Sequence, residues 1–220
     1  TLNYRISYPD ANPSDSYPVV IFLHGAGERG SDNRAQLKWG VQNFVTDKAL
    51  ALYEPIVIAP QCPSSKSWAN YERDEQNGQI TGLADTPSRP LEMTMEVLEQ
   101  VLANSNADPD RVYITGLSMG GYGTWDALAR WPETFAAGAP VCGGGDPGSV
   151  KNMADIPIWA FHGAEDAVVP PERSREMIDA LHQIGARPGY TEYPEVGHFS
   201  WVHAYSDPLF MNWLFDQEKE

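Results

Sequence analysis

The sequence predicts an α/β chain: a mostly parallel central sheet with helices on both faces. Three observations carry this. Short Val/Ile-rich runs recur along the chain, apolar on both faces and closed by glycine or proline, as buried parallel strands read. Amphipathic helical stretches lie between them. One of the runs, Val112-Tyr113-Ile114-Thr115, feeds directly into Gly116-Leu117-Ser118-Met119-Gly120, a strand–turn–helix junction with a serine at its apex.

In chain order, Leu2–Tyr8 alternates polar and apolar residues and reads as an outer, antiparallel strand. The buried strands are expected at Pro18–Leu23, Pro55–Ala59, Val112–Thr115, Ala136–Val141 and Pro157–Phe161, with a weaker one at Gly189–Tyr193. Pro90, a favoured first-turn residue, opens a helix that sets Leu91, Met95, Leu98 and Leu102 on one face. Tyr122, Trp125, Leu128 and Ala129 form the stripe of the helix after Ser118, ended by Pro132. Met177, Ile178, Leu181 and Ile184 form another, closed by Gly185, and Pro208 opens a last helix containing Phe210, Met211, Trp213 and Leu214. The longest stretch without clear periodicity is Gln61–Pro90; loops of that length tend to be functional.

Residues 1–220 are long enough for one domain with a substantial core. Thirty Asp and Glu against fifteen Lys and Arg give a formal charge of −15. That field disfavours nucleic acid and anionic membrane surfaces as partners. No run approaches the ~20 apolar residues of a membrane span, so no membrane insertion is expected. The chain opens at Thr1 in strand-like sequence, without a signal peptide or initiating Met; we read it as excised from a longer protein. The oligomeric state stays open. The two cysteines, Cys62 and Cys142, lack zinc-ligand spacing. Three strand steps of ~4.8 Å would separate them by ~14 Å, beyond the ~7 Å reach of a disulfide unless loops bend inward.

The chemistry starts at Ser118. A serine hydroxyl needs a base within hydrogen-bond reach, and the base needs an orienting carboxylate. In this architecture the order is Ser, then Asp or Glu, then His. Asp166 follows the strand Pro157–Phe161 and is the expected acid; His198 follows the last strand and is the expected base. His24 and His162 each precede a glycine at a strand end and read as loop braces. His182 lies on the polar side of a helix, and His203 lacks the glycine-loop context. An oxyanion formed at the serine would be held by the backbone N–H of Met119 and by one from His24-Gly25-Ala26-Gly27, here assigned to Ala26, with Gly25 or Gly27 as the alternatives. Trp68 and Trp201 are candidates for an aromatic cleft wall. Gln61 follows the strand beside the oxyanion loop and is a third substrate-binding candidate. Glu165 beside Asp166 reads as a solvated loop acid, and no histidine lies at helical spacing to make a metal site with the pair.

Together these residues resemble the α/β-hydrolase superfamily. A closer resemblance lies in Phe22-Leu23-His24-Gly25-Ala26-Gly27-Glu28-Arg29-Gly30, followed by Asp32-Asn33 and Gln36-Leu37; in Ala59-Pro60-Gln61-Cys62-Pro63 with Trp68; and in Pro140-Val141-Cys142-Gly143-Gly144-Gly145-Asp146. These look like the bacterial carboxylesterase branch that includes feruloyl-esterase-like and polyhydroxybutyrate-depolymerase-like proteins. The resemblance spans roughly residues 2 to 215. It implies the α/β-hydrolase fold, the same triad, no metal or organic cofactor, and often export, hence a secreted or periplasmic location. The first strand of the superfamily sheet would precede Thr1. The short, glycine-rich Gly143–Ile156 connection predicts an open site with no large lid.

The expected function is therefore serine carboxylic ester hydrolysis through an acyl-enzyme, on small-molecule or polymer-linked esters: short-chain acyl esters or hydroxycinnamoyl and other polysaccharide-linked ones. Two readings compete. A serine peptidase of the same fold would need a well-placed acid for the leaving amine. A non-catalytic binding module would ordinarily have lost a triad member, and none is missing.

Overall fold

In the computed structural model, which describes residues 1–10 and 15–219, the apolar runs become strands of one twisted sheet. The elements are β1 (Asn3–Ser7), β2 (Tyr17–Leu23), α1 (Asp47–Tyr53), β3 (Ile56–Gln61), β4 (Tyr71–Arg73), β5 (Ile80–Leu83), α2 (Arg89–Asn104), β6 (Ala107–Leu117), α3 (Met119–Arg130), β7 (Ala137–Val141), β8 (Trp159–Gly163), α4 (Glu172–Gln183), β9 (Gly189–Tyr193), α5 (Trp201–Ser206) and α6 (Pro208–Phe215). Seven strands form the sheet in the order β1-β3-β2-β6-β7-β8-β9. Only the edge strand β1 runs antiparallel in this sheet, pairing Ile6 with Ile58 of β3; β3, β2, β6, β7, β8 and β9 are parallel neighbours.

Successive strand residues point to opposite faces, and the core divides accordingly. Ile21, Leu23 and Ile114 pack with Leu98, Trp125, Leu128 and Leu181 of α2, α3 and α4. Val20, Phe22, Tyr113 and Phe161 pack on the other face with Phe44, Tyr205, Phe210 and Leu214. Both faces of the central strands are covered, which explains their continuous apolar runs.

Ser88 caps α2 by accepting the Leu91 N–H, and Pro90 sits in its first turn. Asp207 does the same for α6 with Pro208 behind it. The connection from β7 to β8 is a 3₁₀ segment, Pro147–Met153, with no large lid, as its length predicts.

Two features depart from the sequence reading. The stretch Gln61–Pro90 holds the antiparallel hairpin β4–β5. Its strands are too short to show a period; the turn is fixed locally, with Asp74 Oδ1 accepting the N–H groups of Gln76 and Asn77. The short helices α1 and α5 also escape periodicity, although α1 has a legible cap in Thr46, whose Oγ1 accepts the Ala49 N–H.

Candidate active site

Ser118 stands between β6 and α3 at φ 54°, ψ −115°, a backbone conformation that costs a non-glycine residue energy and is held by its surroundings. The packing around it explains the flanking glycines. A Cβ on Gly116 would lie 2.5 Å from the Gly120 carbonyl oxygen, and one on Gly120 would lie 1.9 Å from that of Leu23. The Ser118 N–H donates to Val141 O at 2.9 Å. The turn is thus wedged between β2 and β7, and its hydroxyl is presented at the carboxyl edge of the sheet.

The loops after β8 and β9 meet backbone to backbone. A Cβ on Gly163 would lie 2.3 Å from the carbonyls of both Val196 and Gly197, and the Glu165 N–H donates to Val196 O at 2.9 Å. This contact brings Asp166 to His198. The Asp166 side chain is buried. Its Oδ1 accepts the N–H groups of Val168 and Val169, both at 2.9 Å, and its Oδ2 lies 2.7 Å from His198 Nδ1. His198 Nε2 lies 3.0 Å from Ser118 Oγ. A carboxylate can only accept, so His198 Nδ1 carries the proton and Nε2 faces the serine as an acceptor. The edge of Trp201 packs against the His198 ring at 5.3 Å between centroids. On the far side of the acid, His162 Nε2 donates to Val169 O at 2.9 Å and approaches Asp166 Oδ2 at 3.3 Å. Burial depresses the His162 pKa, so it braces this loop as a neutral ring.

The oxyanion candidates occupy equivalent local positions. Met119 is the first residue of α3, and Ala26 is the first of a 3₁₀ turn, Ala26–Glu28. First-turn N–H groups have no acceptor within their own helix. Gly25 packs onto Leu117, where a Cβ would meet Leu117 Cδ1 at 2.8 Å, so the loop lies directly against the residue before the nucleophile. His24 anchors it: Nδ1–H donates to Gly25 O at 2.6 Å, and Nε2 accepts the Cys62 N–H at 2.9 Å. Burial lowers its pKa to about 4, which keeps Nε2 free to accept.

The substrate-binding expectations need correction. Trp68 is fully buried, and its indole N–H donates to His24 O at 3.0 Å; it packs under the loop that begins at His24 and is no cleft wall. Gln61 is equally buried. Its amide donates to Asp32 Oδ1 and Glu28 O and its oxygen accepts the Asn33 N–H, leaving the side chain fully engaged in the loop. Trp201 is 5% exposed and packs against the His198 ring. In each case burial of a large or amide side chain claimed the residue for the scaffold.

The structure adds Trp39 and Phe199. Trp39 touches Phe199 and Trp201 at 5.9 and 6.2 Å, and Phe199 is 57% exposed beside His198. Phe199 was legible as the base's neighbour; Trp39 had no periodic or motif signal. A cleft of about 420 Å³ reaches Met119, the residue after Ser118, and Tyr71, Arg73 and Tyr122 are among its other walls. A further cavity of about 330 Å³, near Arg187 and Trp213, lies at the amino edge of β8 and β9, away from this chemistry.

Both cysteines are buried free thiols. Burial pushes Cys62 up to about 11 and Cys142 up to about 12. Cys142, Asp166 and His198 bring their ligand atoms within 4.8 Å of one another. The thiol stays protonated at neutral pH, and within the set the hydrogen bond is the one between His198 Nδ1 and Asp166 Oδ2. The arrangement sets an acceptor nitrogen of His198 where it can remove the proton from Ser118 Oγ.

A family model described as "Putative esterase" matches residues 1–147. Among curated proteins, a bifunctional acetylxylan esterase/xylanase of Neocallimastix patriciarum is 27% identical over 85% of this chain and 25% of its own length. The poly(3-hydroxyalkanoate) depolymerase C of Paucimonas lemoignei is 30% identical over 84% of this chain and 49% of its own. The chain thus spans a quarter to a half of these relatives. Among solved structures, a thermostable esterase superposes with a TM-score of 0.90 at 41% identity, over 98% of this chain and 59% of that one.

Proposed function

The chain belongs to this esterase family, and from that premise we propose that it is a serine carboxylic ester hydrolase with Ser118, His198 and Asp166 as its catalytic triad. The observation that carries the reading is the continuous hydrogen-bonded line from Ser118 Oγ through His198 to Asp166, at 3.0 and 2.7 Å.

In this mechanism Ser118 Oγ attacks the ester carbonyl and its proton passes to His198 Nε2. The resulting imidazolium keeps its Nδ1–H on Asp166. The carbonyl oxygen, now an anion, is held by the amides of Met119 and Ala26; each such donor is worth ~3 kcal/mol of barrier. Collapse breaks the bond to the alcohol, which takes the proton from His198. Water then attacks the acyl-enzyme by the same route and restores Ser118.

The substrates proposed are short-chain acyl esters or hydroxycinnamoyl and other polysaccharide-linked esters. The short β7–β8 connection supports an open site. The exposed Phe199, backed by Trp39 beside His198, offers an aromatic face on which the ring of an alcohol or sugar can lie. An exported location belongs to the same reading; it is tested by fractionating the source cells and locating the protein by antibody.

The experiment is kcat/KM for p-nitrophenyl butyrate beside methyl ferulate, with Ser118→Ala as the blank and a fluorophosphonate label on both proteins. Turnover and labelling in the parent alone are expected. A parent that neither labels nor turns over any ester would leave the binding-module alternative standing. A ferulate value ~1000-fold below the butyrate value, a transition-state deficit of ~4 kcal/mol, would assign it to short acyl groups.

A further inference from the structure

The cleft of about 420 Å³ beside the nucleophile has a defined side of the reaction. Its walls are Ser67, Ala69, Tyr71 and Arg73 from the 67–73 segment, and Met119 and Tyr122 from the first turn of α3. None of them comes from the loops that carry Asp166 and His198. The leaving alcohol must take its proton from His198 Nε2, so the alcohol lies toward those loops. The acyl group, on the other side of the carbonyl, extends past Met119 into this cleft.

Arg73 is the unusual member of the lining. The chain carries two acids for every base, and five of its ten arginines, Arg89, Arg111, Arg130, Arg173 and Arg175, have carboxylate partners. Arg73 forms no ion pair among the described residues. One of its nitrogens is tethered within the hairpin, Nη1 donating to Gly78 O at 2.9 Å, which leaves the other face of the guanidinium fork unclaimed.

The hairpin is built to aim it. Glu72 faces Gly82, but Arg73 faces Ile80, so the register slips by one residue at this point. Such bulges turn the local backbone and redirect a side chain. The base of the hairpin is in turn fixed to α3: Tyr71 OH donates to Tyr122 O at 3.1 Å. Arg73 and the Arg173 guanidinium from α4 both act on the Tyr122 phenol against the upward push of its burial. Arg173 is occupied by Glu176 at 3.2 Å.

We propose that this cleft is an acyl subsite in which Arg73 selects acyl groups ending in a carboxylate, the half-esters of dicarboxylic acids, over alkyl groups of the same length. The proposal rests on the esterase reading above and names the substrate class of that site. A guanidinium fork matches a carboxylate in geometry and charge. The overall −15 charge does not oppose this at contact, because fields beyond ~8 Å are largely screened at physiological salt.

The test is the ratio of kcat/KM for monomethyl adipate to that for methyl hexanoate, followed by titration of the released acid. It is measured in the parent, Arg73→Gln, Arg73→Lys and Arg187→Gln. Arg187→Gln removes the same charge at the opposite edge of the sheet. The ratio is expected to fall about tenfold in Arg73→Gln, mainly through KM for the half-ester, to fall by less in Arg73→Lys, which keeps the charge without the fork, and to be unmoved in Arg187→Gln. A ratio within twofold of the parent in Arg73→Gln, or an equal fall in Arg187→Gln, overturns the subsite. Failure of the esterase reading has a different signature: neither ester is turned over faster by the parent than by Ser118→Ala.

Discussion

Gly120 lies so close to Leu23 that a Cβ added at position 120 would sit 1.9 Å from the Leu23 carbonyl oxygen. That oxygen belongs to the last residue of β2, the strand whose end carries the His24–Gly27 loop. The contact therefore fixes both the start of α3 and the distance from the nucleophile turn to His24-Gly25-Ala26.

Gly120→Ala has no flexible side chain to push aside, only backbone. It is expected to cost more than about 3 kcal/mol of stability or to prevent folding. Gly27→Ala is the control, because nothing lies within 4 Å of its added Cβ. Urea midpoints of the two variants check the contrast; a Gly120→Ala midpoint equal to that of Gly27→Ala would refute it.

Asp126 couples α3 to the segment that forms the acyl cleft. Its Oδ1 holds Arg130 Nε at 2.5 Å and its Oδ2 accepts the Asn70 N–H at 2.7 Å, while Arg130 Nη2 donates to Asn70 O. Burial raises the Asp126 carboxyl, with the Asn70 N–H and Arg130 pulling it back. Asp126→Ala leaves Arg130 nearly buried without its partner and should cost about 3–5 kcal/mol. Replacing both, Asp126→Leu with Arg130→Met, should recover part of that loss. Thermal or urea unfolding of the single and double variants reads the difference.

The elements legible in the sequence are those whose burial is symmetrical. The runs at Pro18–Leu23 and Val112–Thr115 are apolar on both faces because helices cover both, and Gly189–Tyr193 and the Pro90 helix appear where spacing and caps place them. Ser118, Asp166 and His198 were legible because each follows a strand in a fixed order. Their contact comes from backbone packing of Gly163 on Val196 and Gly197, which no side-chain pattern encodes. Trp68 and Gln61 were misread for a related reason. A residue after a strand end can face the cleft or turn under the loop, and the choice is made by partners such as His24 O and Asp32, distant in sequence. Arg73 was invisible because its direction depends on a one-residue register slip in a hairpin too short to show a period.

His24 sets an acid limit on stability. Its folded pKa, lowered to about 4 by burial, lies below the ordinary value of 6.5. Between these values the unfolded chain binds a proton that the folded one does not, so stability rises with pH there and is lost as pH falls. The full contribution is present above pH 6.5, and the loss by pH 4 amounts to about 3 kcal/mol. His162, also lowered, acts in the same direction, whereas Glu28, raised by burial, partly offsets both. His24→Gln is expected to be less stable at pH 7.5, losing a buried hydrogen bond, but to show a shallower decline from pH 6.5 to 4. Parallel declines in urea midpoint for variant and parent would show that His24 does not carry this dependence.

Asp166→Asn separates the charge of the acid from its geometry. The carboxylate now accepts from Val168 and Val169 on one oxygen and from His198 on the other. An asparagine must turn its single oxygen toward the two backbone N–H groups, because an NH₂ there would face two donors. Its NH₂ then meets His198 Nδ1, which can only accept from it. The proton moves to Nε2, the atom facing Ser118 Oγ, and the base can no longer take the serine proton. The expected result is a fall in kcat of ~10⁴ with folding intact, since the amide keeps the same shape and loop contacts. Measured at the pH optimum with p-nitrophenyl butyrate, a fall of less than tenfold would mean that Asp166 orients His198 by packing alone and that its hydrogen bond does not select the tautomer.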